Sequence, residues 1–370
     1  MILLKTTRDQ LLLPLQFVSG VVEKKHTLPI LAHVLLIKKA NTLTFQATDI
    51  EVQITTESEV IGEEEGAITV NAKKFQDILR SLPETSEIRL ELEDKKVLIR
   101  AGKSRFTLQS LPADDFPRLA LSEETSQKIT LTQKTLRQLF AETQFAMAVQ
   151  DVRYYLNGLL FLIEGKSLKA VSTDGHRLAY SAITLNTEEE LPHQEFILPR
   201  KTVIELNRLL SDSEETLQID LSNNQIRFRF GKVDLISKLI DGKFPDYQRV
   251  IPPSFKNTVL LNRVTFLQSL MRAAILTNEK FRGVRLLLEE GSLKIIAANS
   301  EQEEAQEELD IDYTGKPLDL GFNISYLLDV LNHIATDTFE WCLNEDAASS
   351  TLFKLPEQDR FKYVVMPMRI

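Results

Sequence analysis

Apolar and polar positions along the 370-residue chain follow two periods. In six stretches the apolar residues recur every three to four positions, the spacing of one helix face. Arg8–Ser19 carries Leu11, Leu12, Leu15 and Val18; Thr132–Met147 carries Leu136, Leu139, Phe140, Thr143 and Met147; Leu261–Leu276 carries Phe266, Leu267, Leu270 and Ala274. A second set reads as helices over Val70–Arg80, Pro199–Leu210 and Asn323–Ala335. Pro199 suits a first helical position, Asn323 suits an N-cap, and Pro14 is expected to bend the first helix. Most of the remainder alternates with a period of two, as half-buried antiparallel strands do. Val97–Ala101, Leu108–Leu111, Leu217–Leu221, Gln225–Phe230 and Arg285–Leu288 are examples.

One pattern returns. Thr42–Glu57, Ser167–Ala182 and Ser292–Glu307 each read as strand, polar turn, strand, and their first residues are 125 positions apart both times. The triplets Asp77-Ile78-Leu79, Ile204-Glu205-Leu206 and Asp329-Val330-Leu331 lie 127 and 125 apart, and Phe116-Pro117 and Phe244-Pro245 lie 128 apart. Equal spacing implies three copies of one unit, each of usual domain size. The expected fold class is α+β: three repeated domains over 1–123, 128–251 and 252–370, each with two helices on antiparallel sheets of some eight strands. The boundaries fall in the polar or Pro-containing stretches Leu121–Lys128 and Pro252–Asn257.

Composition sharpens this picture in three places. No stretch approaches the roughly 20 apolar residues of a membrane helix, and the opening MILLKTTRDQLLL is too charged for a secretory signal, so a cytoplasmic, non-membrane protein is expected. Cys342 is the only cysteine, which excludes an intrachain disulfide and a Cys-based metal cluster; beside Trp341 it reads as buried filler, with a nucleophile as the alternative. The formal net charge of −9 taken alone speaks against a nucleic-acid binder. Its distribution does not. The six helical stretches hold eleven basic residues against five acidic ones, a net of +6, which leaves −15 for the rest. Helices sharing a face would attract a polyanion without reading its sequence.

Candidate chemistry is sparse. Asp174 and His176 could form a dyad, but no nucleophile, phosphate loop or second metal ligand accompanies them, and a structural turn is the reading adopted. No catalytic residue, metal or cofactor is expected. Glu301–Glu308 lacks the spacing of a calcium loop and reads as a solvated acidic edge or the partner of a basic surface, and the acidic run Glu63–Glu65 as a solvated turn. Gln150, Arg153, Tyr154 and Tyr155 could hold phosphate and stack on bases, or the tyrosines could pack under the preceding helix. The apolar tail Tyr363–Ile370 either completes an edge strand through Val364 and Val365 or lends Met366, Met368 and Ile370 to a partner groove.

Taken together, QDVRYYLNG (Gln150–Gly158), TDGHRL (Thr173–Leu178), FPDY (Phe244–Tyr247), NEKFRGVRL (Asn278–Leu286) and YVVMPMR (Tyr363–Arg369) resemble the bacterial DNA polymerase III beta subunit family, the sliding clamps, in order over essentially the whole chain. The resemblance implies a non-enzymatic clamp: a head-to-tail homodimeric ring around double-stranded DNA that tethers the replicative polymerase. It also implies a groove between the second and third domains for short linear motifs bearing Leu and Phe, carried by polymerases, the clamp loader and repair proteins. Groove residues would be Leu156, Thr173, Gly175, His176, Arg177, Leu178, Pro245, Arg249, Val250, Phe281, Asn323, Tyr326, Ser350, Val364, Val365, Met366, Pro367, Met368 and Arg369. DNA contacts would come from Lys25, Gln150, Arg153, Tyr154 and Tyr155, joined from the helices by Lys73, Lys74, Arg80, Arg137, Arg200 and Lys201. The ring seam would join Lys103, Arg105 and Phe106 to Ile275, Leu276, Glu301, Glu303 and Glu304, basic edge to acidic edge.

Overall fold

Thr42, Ser167 and Ser292 each open a seven-residue strand, and the next strand runs back antiparallel each time. The computed structural model describes residues 2–23, 28–62, 64–93, 95–120 and 127–370. Lys25, Glu63 and the boundary stretch 121–126 lie outside them.

The first third supplies β1 Ile2–Thr7, α1 Arg8–Val18, β2 His33–Lys39, β3 Thr42–Thr48, β4 Val52–Glu59, β5 Gly66–Asn71, α2 Ala72–Ser81, β6 Glu87–Glu93, β7 Lys96–Ala101 and β8 Ser104–Gln109. The middle third supplies β9 Gln127–Thr132, α3 Gln133–Ala141, β10 Gly158–Gly165, β11 Ser167–Thr173, β12 Arg177–Thr184, β13 Leu191–Pro199, α4 Arg200–Leu209, β14 Thr216–Leu221, β15 Gln225–Phe230 and β16 Val233–Lys238. The last third supplies β17 Asn257–Asn262, α5 Arg263–Ala274, β18 Gly283–Glu289, β19 Ser292–Ala298, β20 Glu304–Asp310, β21 Leu318–Asn323, α6 Ile324–His333, β22 Thr338–Leu343, β23 Thr351–Leu355 and β24 Gln358–Val365. Among the described residues each third therefore holds eight strands and two α-helices, all strand pairs being antiparallel.

The helices are shorter than their apolar stripes. The stripe over Thr132–Met147 stops being α-helical at Ala141, where the Thr143 hydroxyl donates back to the Leu139 carbonyl (2.7 Å) and a 3-10 turn over Gln144–Ala146 takes over. Pro199 closes β13 instead of opening α4. Asn71, Asn262 and Asn323 cap α2, α5 and α6, each side-chain oxygen accepting a backbone N–H two or three residues on. Arg8, the first residue of α1, donates to the Leu79 carbonyl near the end of α2 (2.9 Å). Arg263 does the same from α5 to Leu331 in the last turn of α6 and to Thr336 beyond it (3.1 and 2.9 Å). A guanidinium on the carbonyl end of a helix satisfies orphan acceptors, so these two cations act within the fold.

The chain forms two compact units. One comprises Met1–Lys134 with Ile204–Leu239 and contains the sheets β1-β6-β7-β8 and β5-β2-β3-β4-β16-β15-β14-β9. The other comprises Thr135–Val203 with Ile240–Ile370 and contains β13-β10-β11-β12-β24-β23-β22-β17 and β20-β19-β18-β21. Each eight-stranded sheet is two four-stranded sheets joined edge to edge, through β4·β16 in the first unit and β12·β24 in the second. The joints share one register: Ile54 faces Leu235, Ala179 faces Tyr363, and all four side chains are fully buried. The tail is therefore no edge strand. Tyr363, Val364 and Val365 lie mid-sheet between β12 and β23, and their burial explains the apolar run. In the same unit Trp341 stacks on Phe353, and Cys342 is buried, with burial pushing its thiol pKa up, as a filler residue requires.

Candidate partner groove and nucleic-acid surface

The Thr173–Leu178 corner joins β11 to β12, and its polar residues build it. Asp174 Oδ1 accepts the backbone N–H of His176 and Arg177 (3.0 and 3.1 Å), and Thr173 Oγ1 accepts from Gly175 N–H (3.1 Å) while donating to the Arg177 carbonyl (2.6 Å). Gly175 adopts φ +90°, and a Cβ there would meet the Arg153 guanidinium at 3.1 Å. Asp174 is thus occupied in shaping a turn, which removes it from any dyad with His176.

Arg177 holds the corner to its surroundings. Its Nε donates to Asp174 Oδ2 (3.1 Å), one Nη to the Phe145 carbonyl (2.8 Å), and the other to Asp329 on α6. Its guanidinium carbon lies 4.5 Å from the Tyr326 ring centre. Burial disfavours its charge, but Tyr363, Asp329 and Asp174 outweigh burial and raise its pKa. The Tyr363 hydroxyl, raised in pKa by its own burial, donates to the Tyr326 carbonyl (3.0 Å). His176, on the outer side, stacks on Tyr326 with ring centres 6.4 Å apart. Phe145 and Asp329, which hold Arg177 at this corner, were not among the site residues nominated from the sequence. Asp329 was detectable as the one acid in a helix that holds no lysine or arginine.

The tail docks against this corner after β24. Met366 N–H donates to the His176 carbonyl (2.9 Å) and Met368 N–H to the Gly321 carbonyl (2.8 Å). Gly321 admits it, since a Cβ there would lie 2.3 Å from the Met368 oxygen. Leu156, Leu178 and Val364 are buried in one apolar cluster with Tyr247, Leu352 and Cys342. Val250, whose N–H donates to the carbonyl of the cluster's Tyr247 (3.1 Å), and Met366 are exposed, as is Phe281 on the Asn278–Arg282 turn; Arg249 pairs with Asp246 (2.8 Å). Pro245 and Arg369 are exposed; Asn323, Ser350, Pro367 and Met368 are half-buried. A buried apolar floor with exposed apolar and aromatic groups around it suits hydrophobic side chains of an extended peptide.

The nominated cations fare unequally. Lys73, Lys74, Arg80 and Arg137 are exposed. Arg200 is half-buried, donates to the Met147 carbonyl (3.2 Å), and has its pKa lowered by burial and by Arg177. Lys201 is half-buried on α4. Arg153 makes a two-pronged contact with Asp151 (3.0 and 2.9 Å), which holds that carboxyl at about 2. Gln150 takes a left-handed conformation, φ 55°. Tyr154 is 57% exposed while Tyr155 tucks against the apolar cluster, so packing accounts for Tyr155. At the sheet margins, Lys103 and Arg105 are exposed on the β7–β8 turn and on β8, and Glu301, Glu303 and Glu304 are exposed at the start of β20; β8 and β20 are each the last strand of their sheets. Ile275 is 77% exposed at the end of α5, and Leu276 is half-buried. No group of metal-ligating side chains occurs among the described residues, and no helix there is long and apolar enough to cross a membrane.

Three family models match in succession: the N-terminal domain of the DNA polymerase III beta subunit over residues 2–120, its central domain over 130–246 and its C-terminal domain over 248–369. The chain is 47% identical over 366 residues to the beta sliding clamp of Pseudomonas putida and 46% identical over 364 residues to that of Escherichia coli, covering 98% of each chain in both cases. Among solved structures, the DNA polymerase III subunit beta from Pseudomonas aeruginosa matches with a TM-score of 0.94 at 44% identity over the whole of both chains. A sliding clamp from the same organism bound to griselimycin matches with a TM-score of 0.93 at the same identity, again over the whole of both chains.

Proposed function

The chain belongs to the DNA polymerase III beta subunit family and is a DNA sliding clamp, a non-catalytic processivity factor, and we propose that it works as a head-to-tail homodimeric ring in the cytoplasm. The observation that carries this reading is a pair of sheet edges. Ala47, Ser172 and Ala297 are 125 apart and face Ile54, Ala179 and Ala305 on the next strand. Ile99, Phe228 and Phe353 likewise face Phe106, Leu235 and Tyr363. Two of the three repeats of this joint are closed within the chain, Ile54 on Leu235 and Ala179 on Tyr363. The remaining pair, Ala305 on β20 and Phe106 on β8, sits half-buried on two edges that are unpaired among the described residues.

A second copy completes the series by bringing Ala305 opposite Phe106. The same register sets Gln306 opposite Arg105, which leaves Arg105 diagonal to Glu304 and Glu308. Opposite charges across strands favour the pairing, and two such joints relate the copies by a twofold axis. The three sequence domains, 1–123, 128–251 and 252–370, are then six in the assembly. Exposed cations at Lys73, Lys74, Arg80 and Arg137 supply a weak, sequence-blind attraction for duplex DNA, and closure supplies retention, so no tight phosphate contact is needed. The groove around Leu156, His176, Leu178, Val364 and Met366 takes the linear motifs of polymerases, clamp loader and repair proteins, raising their local concentration at the primer end. The griselimycin-bound relative supports a ligand-accepting surface on this fold.

Sedimentation of Phe106→Asp and Ala305→Arg variants tests the joint. Both are expected to run as folded monomers. A dimer that survives both changes contradicts it.

A further inference from the structure

Beside the groove, on the same face of the β12·β24 sheet, lies a depression of about 560 Å³. Its position follows from register. Leu178, Val364, Leu352, Cys342 and Thr258 form one transverse row, each facing the next across adjacent strands. Two residues along every strand, and so about 7 Å away, Tyr180, Lys362, Lys354 and Glu340 form the neighbouring row. The first row supplies the groove floor and runs on into the depression through Leu352, Cys342 and Thr258; Tyr180, Lys362 and Lys354 of the second form its wall.

The second row is electrostatically unbalanced. Lys354 and Lys362 face each other directly, and like charges in that position repel. Lys354 leans to Glu340 (2.8 Å) and Lys169 to Glu164 (2.9 Å). Lys362 has no ion pair among the described residues and stands 5.7 Å from the Tyr180 ring centre, and Tyr180 stacks on Tyr247 (6.0 Å). Asp359 is the one carboxylate among the residues lining the depression; Glu340 and Glu164 lie outside that lining. The fold does not require this arrangement. In the first unit the same row reads Thr55, Asp234, Arg229, and Asp234 is tied to Arg227 (2.5 Å).

We propose that this depression, with its stacked Tyr180 and Tyr247 and the lysines 169, 354 and 362, binds an acidic, aromatic-bearing segment flanking the motif that fills the groove. The inference rests on the groove reading. A carboxylate placed between Lys354 and Lys362 relieves their repulsion, and an aromatic side chain finds Tyr180, Tyr247 and Phe255. An extended chain crosses the gap between rows in two to three residues.

The test uses the full-length protein and three labelled synthetic peptides: an uncharged pentapeptide carrying Leu and Phe, and the same peptide extended by Asp-Phe-Asp at either end. One extension is expected to tighten binding about tenfold at low salt, and Lys362→Glu is expected to remove that gain while leaving the pentapeptide's affinity unchanged. A gain below about twofold from both extensions, or one that survives Lys362→Glu, overturns the proposal. If the pentapeptide fails to bind but an extended peptide binds in a Lys362-dependent way, the depression stands and the groove reading falls. Failure of all three peptides overturns both.

Discussion

Arg360 on β24 places one Nη within 2.8 and 2.7 Å of the two carboxylate oxygens of Glu142, just past the end of α3. Glu142 is buried and also accepts from Ser181 on β12 (2.6 Å) and Gln138 on α3 (3.0 Å). One carboxylate thus ties the helix to both strands of the joint beneath the groove. Removing a buried, hydrogen-bonded charge costs several kcal/mol, but Arg360 is 33% exposed and solvent screens part of it. Glu142→Ala is expected to lower stability by about 1–3 kcal/mol in urea unfolding. An unchanged midpoint contradicts this.

The Asp151–Arg153 pair sets a pH dependence. Hydrogen bonds from Arg153 bring the Asp151 pKa from 3.8 down to about 2. A depressed carboxyl favours the paired loop above the ordinary pKa, and the preference fades as pH falls towards 2. Carboxyl-detected NMR titration is expected to place Asp151 near 2, and Arg153→Ala to return it towards 3.8. A normal value in the unmodified protein refutes the pair.

Deletion of Met366–Ile370 is expected to leave the fold intact, because β24 ends at Val365. It removes the Met366 and Met368 contacts to His176 and Gly321. Binding of a Leu- and Phe-bearing peptide, followed by fluorescence anisotropy, is expected to weaken by more than about tenfold. His176→Ala is expected to act in the same direction, with no loss of thermal stability. Unchanged affinity in the truncated protein contradicts the groove.

Much of this architecture was legible because it repeats. Equal offsets located Thr42, Ser167 and Ser292 as strand starts, and period-two alternation located most strands. What the sequence withheld was long-range. The β4·β16 joint pairs residues some 180 positions apart, such as Ile54 with Leu235, and local periodicity carries no trace of it. For that reason an edge strand stood as one of the two readings of the tail. The charge count along the helices was sound, but it could not tell Arg8 and Arg263, spent on carbonyls of neighbouring helices, from exposed Lys73 and Lys74. Arg208, which donates to the Gln16 and Phe17 carbonyls, belongs with the former. At the corner, Thr173, Asp174 and Gly175 were legible as a turn, whereas Phe145 and Asp329 enter through contacts that Arg177 makes across 32 and 152 positions.

Enclosure of duplex DNA by two copies is tested most directly by retention on a nicked circular plasmid, loaded with clamp loader and ATP and washed at high salt. The protein is predicted to stay on the intact circle and to leave once a restriction cut makes the DNA linear. Equal retention before and after the cut would show that surface contacts, not closure, hold it.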